Sequence, residues 1–234
     1  MAMHAFKLLM KINDVEHYRA CATSAMREAK NGVEVQKEIN KITAIDLEII
    51  KGKVEADLIF LNFHLADLKS KNYLYIDVGG GSTELTIIKD KKRIASRSFK
   101  IGSVRQLNES SKKSMYKDAF EWIKKHQPIN EEMDAIGTGG SINKLYSHST
   151  HPFQEPLAID ELRKTISRIS SFSYEDRIRI LKLKPNRADV IVPGGYIYLS
   201  MMEAANVKKI IVPNLGLADG IIHQLYYDNR DNYK

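Results

Sequence analysis

The segment YIDVGGGSTE, residues 75–84, places three consecutive glycines and two hydroxyl side chains between two carboxylates, Asp77 and Glu84. Backbone N–H groups approach an anion closely only where no Cβ intervenes, so a glycine turn of this kind is suited to binding phosphate. Mg²⁺ takes few carboxylates together with phosphate oxygens and water. The segment therefore predicts a phosphate turn with Asp77 and Glu84 as metal ligands. The predicted phosphate-binding residues are Gly79, Gly80, Gly81, Ser82 and Thr83.

The sequence around this turn excludes the common nucleotide loops. It matches neither G-x-G-x-x-G nor a Walker loop, since no Lys-Ser/Thr follows, and a strand-like run follows it where those loops open a helix. The pattern favours a β-hairpin that folds around phosphate. The competing interpretation is an ordinary turn, because tight turns require glycine for their own geometry.

Two more glycine turns follow apolar runs. Residues 137–141, GTGGS, precede a helical pattern, so the helix dipole can add to anion binding at Gly139 and Gly140. The third predicted turn runs from Gly216 to Gly220. Three such turns, each behind an apolar run, favour phosphate binding over three unrelated turns.

Glu55 lies in the first turn of a helix predicted from the apolar pattern of residues 51–68. A carboxylate at this position complements the helix dipole. A carboxylate that faces a cleft can instead act as a general base for water attacking phosphorus. The residues alone do not choose between these two roles.

The order of elements predicts an α/β protein in two parts. A βαβα pattern occupies the first part, and a β-meander followed by helices and strands begins at Asn72. We expect one domain over residues 1–70 and a second over residues 71–234, with the last helix able to pack back on the first domain.

Composition restricts the partners. The chain has 234 residues, a net charge of +7 and a pI of about 9.2, which favours polyanions, although a solvated lysine-rich surface explains the charge equally well. No apolar run is long enough for a membrane span. No aromatic–basic repeat predicts sequence-specific nucleic-acid binding. The single cysteine, Cys21, excludes an internal disulfide and fits the cytoplasm.

Several segments resemble one known family. They include ATSAMREAKNG, LEIIKGKVEADLIF, YLYIDVGGGSTELTI, IGTGGSINKL, RADVIVPGG and IIVPNLGLADGII, in the order and spacing of the exopolyphosphatase/guanosine pentaphosphate phosphatase (Ppx/GppA) family. The resemblance extends from about Tyr18 to Tyr226. It implies a ribonuclease H-like fold, shared with actin, sugar kinases and heat-shock ATPases, with two lobes and the active site between them. It also implies Mg²⁺-dependent release of terminal phosphate from inorganic polyphosphate or pppGpp.

The resemblance also implies roles for individual residues. Glu55 corresponds to the catalytic base, and Asp77 and Glu84 to acidic residues that bind metal or position water. Thr23 and Arg27 stand where the family places polar and basic groups near the phosphate chain, and guanidinium pairs phosphate in bidentate geometry. The residues 79–83 correspond to the second phosphate loop, and the turn at 139–140 to a loop for nucleotide or distal phosphates.

The sequence departs from the family pattern in three places. The Asp-x-Gly-[Ser/Thr]-Asn-Ser loop does not occur, so the first lobe is expected to be N-terminally incomplete; Val54 replaces a glutamate, and Ala218 replaces an arginine. We therefore keep three alternatives to a hydrolase: a non-catalytic binder of polyphosphate or (p)ppGpp, a truncated inactive relative, and a kinase of the same superfold. The oligomeric state is not fixed by the sequence, and a homodimer is one hypothesis.

Overall fold

The computed structural model describes residues 2–61, 72–104, 109–152, 155–213 and 215–230. The elements follow one another in this order: α1 Ala2–Ile12, β1 Ala20–Ala22, α2 Ser24–Glu28, α3 Gly32–Thr43, β2 Leu47–Ile49, α4 Gly52–Leu61, β3 Asn72–Val78, β4 Thr83–Lys89, β5 Lys92–Phe99, α5 Glu109–His126, β6 Asp134–Thr138, α6 Gly140–His148, β7 Leu157–Ala158, α7 Ile159–Ser170, α8 Tyr174–Arg179, α9 Pro185–Ala188, α10 Ile191–Ala204, β8 Lys209–Ile211 and α11 Leu217–Asn229.

The chain divides into two compact units. Unit 1 contains Met1–Asn62 and Leu217–Lys234, and unit 2 contains Phe63–Gly216. Unit 1 is therefore built from two separate stretches of sequence, and α11 belongs to it. The domain boundary expected near residue 70 falls in residues 62–71, which lie outside the described part of the chain.

In unit 1, β1 and β2 form a parallel pair with Ala20 opposite Leu47. The side chains of α3 bind the backbone of β2: Gln36 Nε2 donates to the carbonyl of Leu47 at 2.6 Å, and Leu47 N–H donates to Asn40 Oδ1 at 3.0 Å. These bonds satisfy backbone groups on the side of β2 that does not face β1, which protects an otherwise open strand edge.

Helix α11 packs closely against α4. A Cβ added at Gly220 in α11 would lie 1.9 Å from the carbonyl oxygen of Leu58 in α4. The expected glycine turn from Gly216 to Gly220 is therefore wrong, because α11 begins at Leu217 and Gly220 lies inside the helix. This glycine allows two helix backbones to approach each other and does not form a turn.

Unit 2 is built on a six-stranded sheet in the order β5-β4-β3-β6-β8-β7. The strand β3 pairs antiparallel with β4 and parallel with β6. Alternate residues of β3 point to opposite faces, and one face carries Leu74, Ile76 and Val78 into the hydrophobic core beneath helices α5, α6, α7 and α10. The other face carries Tyr75 and Asp77, so the sheet has a polar side that ends at the first glycine turn.

Helix α10 fits tightly against α6 and α7 through two glycines. A Cβ at Gly194 would lie 2.5 Å from Ser141 Oγ, and a Cβ at Gly195 would lie 2.8 Å from Ile166 and 2.9 Å from Leu145. The Pro-Gly-Gly segment therefore serves close packing, and α10 runs without a break from Ile191 to Ala204. Pro193 is tolerated because it lies in the first turn, where backbone N–H groups have no partner within the helix.

The sequence patterns located most elements but extended several of them too far. The apolar segment at residues 17–22 forms a strand only over Ala20–Ala22, and the helix after Thr23 ends at Glu28. The short elements β7, α8 and α9 were not expected. The part of the predicted helix that includes Leu65 lies outside the described residues. Within the described ranges, no helix is both long and apolar enough to span a membrane.

Candidate active site

The first glycine turn joins β3 to β4 and is held from one side by residues 102–104. The carbonyl of Gly79 accepts from Ser103 N at 3.0 Å and from Ser103 Oγ at 3.2 Å, and the carbonyl of Gly80 accepts from Val104 N at 2.9 Å. In a trans peptide the N–H points opposite to the preceding carbonyl. The N–H groups of Gly80 and Gly81 are therefore directed away from this supporting segment, in a common direction that suits an anion.

The conformation of the turn does not itself require these glycines. Neither Gly79 nor Gly80 has a left-handed φ, and a Cβ at either position would meet its nearest neighbour at 3.4 Å, an ordinary contact. Gly80 is also exposed. These glycines leave room beside the backbone, as expected where a ligand approaches the main chain. They are not needed to relieve backbone strain.

The two predicted metal ligands lie opposite each other. Asp77 pairs with Glu84 in the antiparallel register of β3 and β4, which places both side chains on the same face of the sheet. Glu84 is only 4% exposed. Its Oε1 accepts hydroxyl bonds from Ser82 and from Ser98, each at 2.8 Å, and Oε2 receives neither of these bonds. Glu84 is therefore a buried strand residue whose carboxylate is held by hydroxyl groups.

The second glycine turn lies beside the first. Gly139 precedes α6 with φ +111°, a conformation that side chains rarely adopt. A Cβ there would lie 3.1 Å from Asp77 Oδ1 and from the carbonyl oxygen of Val78. The polar face thus brings together the ends of β3 and β6, which is the edge of a parallel pair where ligands of α/β sheets bind.

Arg187 is a candidate ligand that the sequence analysis did not single out. A Cβ at Gly140 would lie 2.4 Å from Arg187 Nη1 and 2.6 Å from Cζ, so the guanidinium group rests against the N-terminus of α6. Arg187 is exposed in the short helix α9, far from Gly140 in sequence. Its segment RADVIVPGG was noted for its resemblance, but no spacing rule linked it to the glycine turn.

A buried tyrosine joins the two turns. The hydroxyl of Tyr198 accepts from Val78 N–H at 3.1 Å and donates to the carbonyl of Thr138. Burial, and then the negative charge of Asp77, raise the pKa of Tyr198 well above its ordinary value. Tyr75, whose hydroxyl contacts the side-chain oxygen of Thr138, has its pKa raised first by burial and then by Asp77 as well.

In unit 1, three other predicted residues lie near the carboxyl ends of β1 and β2. Thr23 directly follows β1 and precedes α2, although its side chain does not cap that helix. Arg27 Nη1 donates to the carbonyl of Ile50 at 2.8 Å and to Glu55 Oε2 at 3.2 Å. The Glu55 side chain is 13% exposed and the Arg27 side chain 26%. The structure therefore joins Arg27 directly to the predicted base.

The donor set near the first turn fits Mg²⁺. Asp77 and Glu84 supply hard carboxylate oxygens on one face, and the adjacent turn offers room for phosphate oxygens, which this ion takes as further ligands. Among the described residues, no three His, Cys, Asp or Glu side chains cluster as a self-contained metal centre. A bound ion would therefore complete its shell with substrate and water.

Comparison with known proteins decides the family. The sequence model of the Ppx/GppA phosphatase family matches residues 1–228. The chain belongs to the Ppx/GppA phosphatase family. The resemblance stated from the sequence motifs is thereby confirmed.

Two curated relatives show how far the similarity extends. A guanosine-5'-triphosphate,3'-diphosphate pyrophosphatase of Aeromonas salmonicida is 23% identical over 229 residues, which is 92% of this chain and 46% of that protein. Exopolyphosphatase 1 of Mycobacterium tuberculosis strain H37Rv is 24% identical over 227 residues, 87% of this chain and 65% of that protein. This Ppx/GppA chain thus spans about half to two thirds of the length of these relatives.

Solved structures confirm the α/β, ribonuclease H-like fold class. An exopolyphosphatase from Cytophaga hutchinsonii aligns with a TM-score of 0.81 at 21% identity, covering 97% of this chain and 80% of that one. The Aquifex aeolicus Ppx/GppA phosphatase aligns with a TM-score of 0.70 at 24% identity, covering 96% and 80%. The Ppx/GppA fold therefore accounts for nearly the whole chain.

The structure groups the predicted site residues within each unit. Unit 2 brings Asp77 and Glu84 together with both glycine turns, and unit 1 brings Glu55 together with Arg27 beside the strand end at Thr23. The catalytic and binding roles of these residues remain predictions.

Proposed function

We propose that this chain belongs to a hydrolase that releases terminal phosphate from inorganic polyphosphate or pppGpp. The observation that carries the proposal is the arrangement in unit 2, where two glycine turns meet beside the opposed carboxylates Asp77 and Glu84. Membership of a phosphatase family supports phosphoanhydride chemistry, and the names of the relatives indicate these two substrates.

The turns supply the phosphate contacts in this proposal. The N–H group of Gly80 faces away from its support and can donate to a phosphate oxygen, and the N-terminus of α6 adds the positive end of its dipole. Arg187 adds a cation beside Gly140. Such preorganised donors stabilise the charge that spreads over the transferring phosphoryl group.

Asp77 and Glu84 would hold the Mg²⁺ ion. When bound, the ion would supply positive charge beside the phosphate oxygens. The hydroxyls of Ser82 and Ser98 hold Glu84 in place through Oε1, which fixes the direction of that carboxylate before substrate arrives.

Glu55 is proposed as the general base. Its carboxylate takes a proton from water as the water oxygen bonds to the terminal phosphorus, and the bridging P–O bond breaks to release orthophosphate and a chain shorter by one phosphate. The bond from Arg27 orients Glu55 Oε2. Arg27 thereby contributes to the position of the base as well as to the positive charge near the phosphate chain.

The test compares phosphate release by the wild-type protein and by Glu55→Gln, using long-chain polyphosphate and pppGpp with Mg²⁺. We expect loss of about 100-fold or more in rate for Glu55→Gln, because an amide cannot accept the proton. Glu48→Gln is the matched control, since Glu48 also pairs with an arginine in unit 1, Arg19, at 3.0 Å. Equal rates for wild type and Glu55→Gln would remove Glu55 from the mechanism.

The ion pair of Glu55 also gives the binder alternative a specific basis. A carboxylate already bonded to Arg27 is less available to water, and that arrangement suits binding without turnover. Calorimetry with polyphosphate and ppGpp, run beside the release assay, separates the two functions. Turnover by the wild-type protein dismisses the binder, whereas tight binding without release dismisses the hydrolase.

A further inference from the structure

Tyr198 occupies an unusual position between two strand ends. It is fully buried in α10, and its hydroxyl bonds to the backbone of both β3 and β6: it accepts from Val78 N–H at 3.1 Å and donates to the carbonyl of Thr138. The β3–β6 ladder ends with the pair Asp77 and Thr138. The Tyr198 hydroxyl thus bonds to the backbone of both strands at the point where the hydrogen bonds between β3 and β6 end.

Each of these backbone groups directly precedes a glycine turn. Val78 leads into Gly79, and Thr138 leads into Gly139. A Cβ at Gly139 would lie 3.1 Å from the Tyr198 hydroxyl as well as from the Val78 carbonyl oxygen. The buried hydroxyl oxygen of Tyr198 therefore lies close to both turns and links the residues that precede Gly79 and Gly139.

The helix that carries Tyr198 is fixed against both turns. A Cβ at Gly194 would lie 2.5 Å from Ser141 Oγ and 3.6 Å from Ser103 Cβ. Ser141 follows the second turn, and Ser103 supports the first by bonding to Gly79. The α10 backbone is thus close to both Ser141 and Ser103. This packing holds the Tyr198 hydroxyl at a fixed distance from each turn.

We propose that Tyr198 is a positioning residue that sets the spacing of the two glycine turns, so that both bind one phosphate chain at the same time. This inference rests on the proposed function. Its physical basis is preorganisation: turns already held at the right separation need no ordering when a polyphosphate spans them, so affinity and rate both gain. A ligand that occupies only one turn gains nothing from the link.

The test uses two ligands of different length. Tripolyphosphate carries three linked phosphate groups, which can be shared between the two turns, whereas orthophosphate has a single phosphate group to place. In Tyr198→Phe the Val78 N–H and the Thr138 carbonyl lose their shared partner, and we expect the dissociation constant for tripolyphosphate to rise about tenfold while that for orthophosphate changes less than about twofold. Calorimetry measures both constants, and hydrogen exchange of the amides at residues 79–82 is expected to accelerate.

Tyr146→Phe is the matched control. Tyr146 is also buried in unit 2, and its hydroxyl also contacts backbone, the carbonyls of Pro152 and Glu155 at 2.7 and 2.8 Å. This variant should lose comparable stability in urea without changing the ratio of the two dissociation constants. A Tyr198→Phe variant that weakens both ligands equally, or neither, overturns the positioning role.

The ratio of the two dissociation constants tests the role of Tyr198 independently of the hydrolase proposal. Wild-type protein that binds tripolyphosphate without releasing phosphate ends the hydrolase proposal, and the ratio of dissociation constants still decides the role of Tyr198. Wild-type protein that binds neither ligand shows that the turns are not phosphate sites and overturns the inference about Tyr198. Where turnover is present, KM for polyphosphate should rise more in Tyr198→Phe than kcat falls.

Discussion

Thr83, the first residue of β4, is fully buried, and its hydroxyl donates to the carbonyl of Ile101 at 2.6 Å. This bond ties the end of the first glycine turn to the chain just before the segment that supports the turn. A buried carbonyl that loses its donor keeps the full penalty of desolvation. The stability of the turn therefore depends on a hydroxyl that the sequence analysis assigned to phosphate.

We expect Thr83→Val to lower the free energy of unfolding by about 1–3 kcal/mol, since valine has nearly the same shape but leaves the Ile101 carbonyl without its donor. Thr86→Val is the control in the same strand. The Thr86 hydroxyl bonds to Ser96 Oγ at 2.9 Å, and Ser96 is exposed to water, which can replace the lost partner. Urea denaturation of both variants measures the difference. A smaller effect for Thr83→Val than for Thr86→Val would contradict this account.

For individual residues, the sequence predicted the arrangement correctly where the residue types and the strand pairing indicate the same contact. Asp77 and Glu84 were paired because both flank one turn of glycines and hydroxyls, and the antiparallel register places them opposite each other. Arg187 was missed because its contact with Gly140 depends on where the fold places α9 relative to the start of α6. Packing between elements distant in sequence leaves no local pattern to read.

At the scale of elements, the two glycine turns use glycine for different reasons. Gly139 has φ +111° and ψ 163°, a combination that is accessible almost only to glycine. Gly80 has no such strain and has an open side. Their functions can therefore be separated by the same substitution at each position.

We expect Gly139→Ala to lower the free energy of unfolding by about 1–3 kcal/mol, because alanine is strained in that conformation and meets Asp77 Oδ1. Gly80→Ala should change stability by less than about 1 kcal/mol, since its φ lies outside the left-handed region. Gly80→Ala should instead weaken binding of tripolyphosphate, because a methyl group that contacts Val104 at 3.4 Å adds bulk between the turn and its supporting segment and shifts the Gly80 N–H. Urea denaturation and calorimetry measure the two effects. Unchanged binding by Gly80→Ala would count against the first turn as a phosphate site.

Element prediction failed where a pattern had two physical meanings. Glycines 194 and 195 follow a proline, a pattern that can bend a helix, yet they let α10 approach α6 and α7 closely. Gly220 indicated a turn, yet it lies within α11 against the backbone of Leu58. Glycine marks both close approach and turns, and only the tertiary contact distinguishes them. The strand–turn–helix order around residues 134–148 was predicted correctly because its apolar run and its glycines agree.

At the scale of the whole molecule, unit 1 depends on a helix from the far end of the sequence. Gly220 lets α11 approach α4, the helix that carries Glu55. Arg19 adds a second link, since it donates to Gln224 at 2.7 Å and to Glu48 at 3.0 Å. The position of the proposed base is therefore supported by residues that follow unit 2 in the chain.

We expect Gly220→Ala to destabilise unit 1 by about 1–3 kcal/mol, because its methyl group would overlap the Leu58 carbonyl and force the helices apart. Hydrogen exchange should accelerate in α4 and stay unchanged in β3, which belongs to unit 2. Ile222→Ala on the same helix is the control, since Ile222 is 65% exposed and its loss should change stability by less than about 0.5 kcal/mol. Equal acceleration of exchange in both units would refute a local effect.

The division of unit 1 into two stretches also has a consequence for biosynthesis. A ribosome synthesises residues 63–216 between the two stretches of unit 1, so α4 is made long before its helical neighbour α11, whereas the strands of unit 2 are made in one continuous stretch. Domains generally fold as units during synthesis. The helix that bears Glu55 is therefore the part of unit 1 that stays without its neighbour, and exposed to chaperones, until α11 has been made.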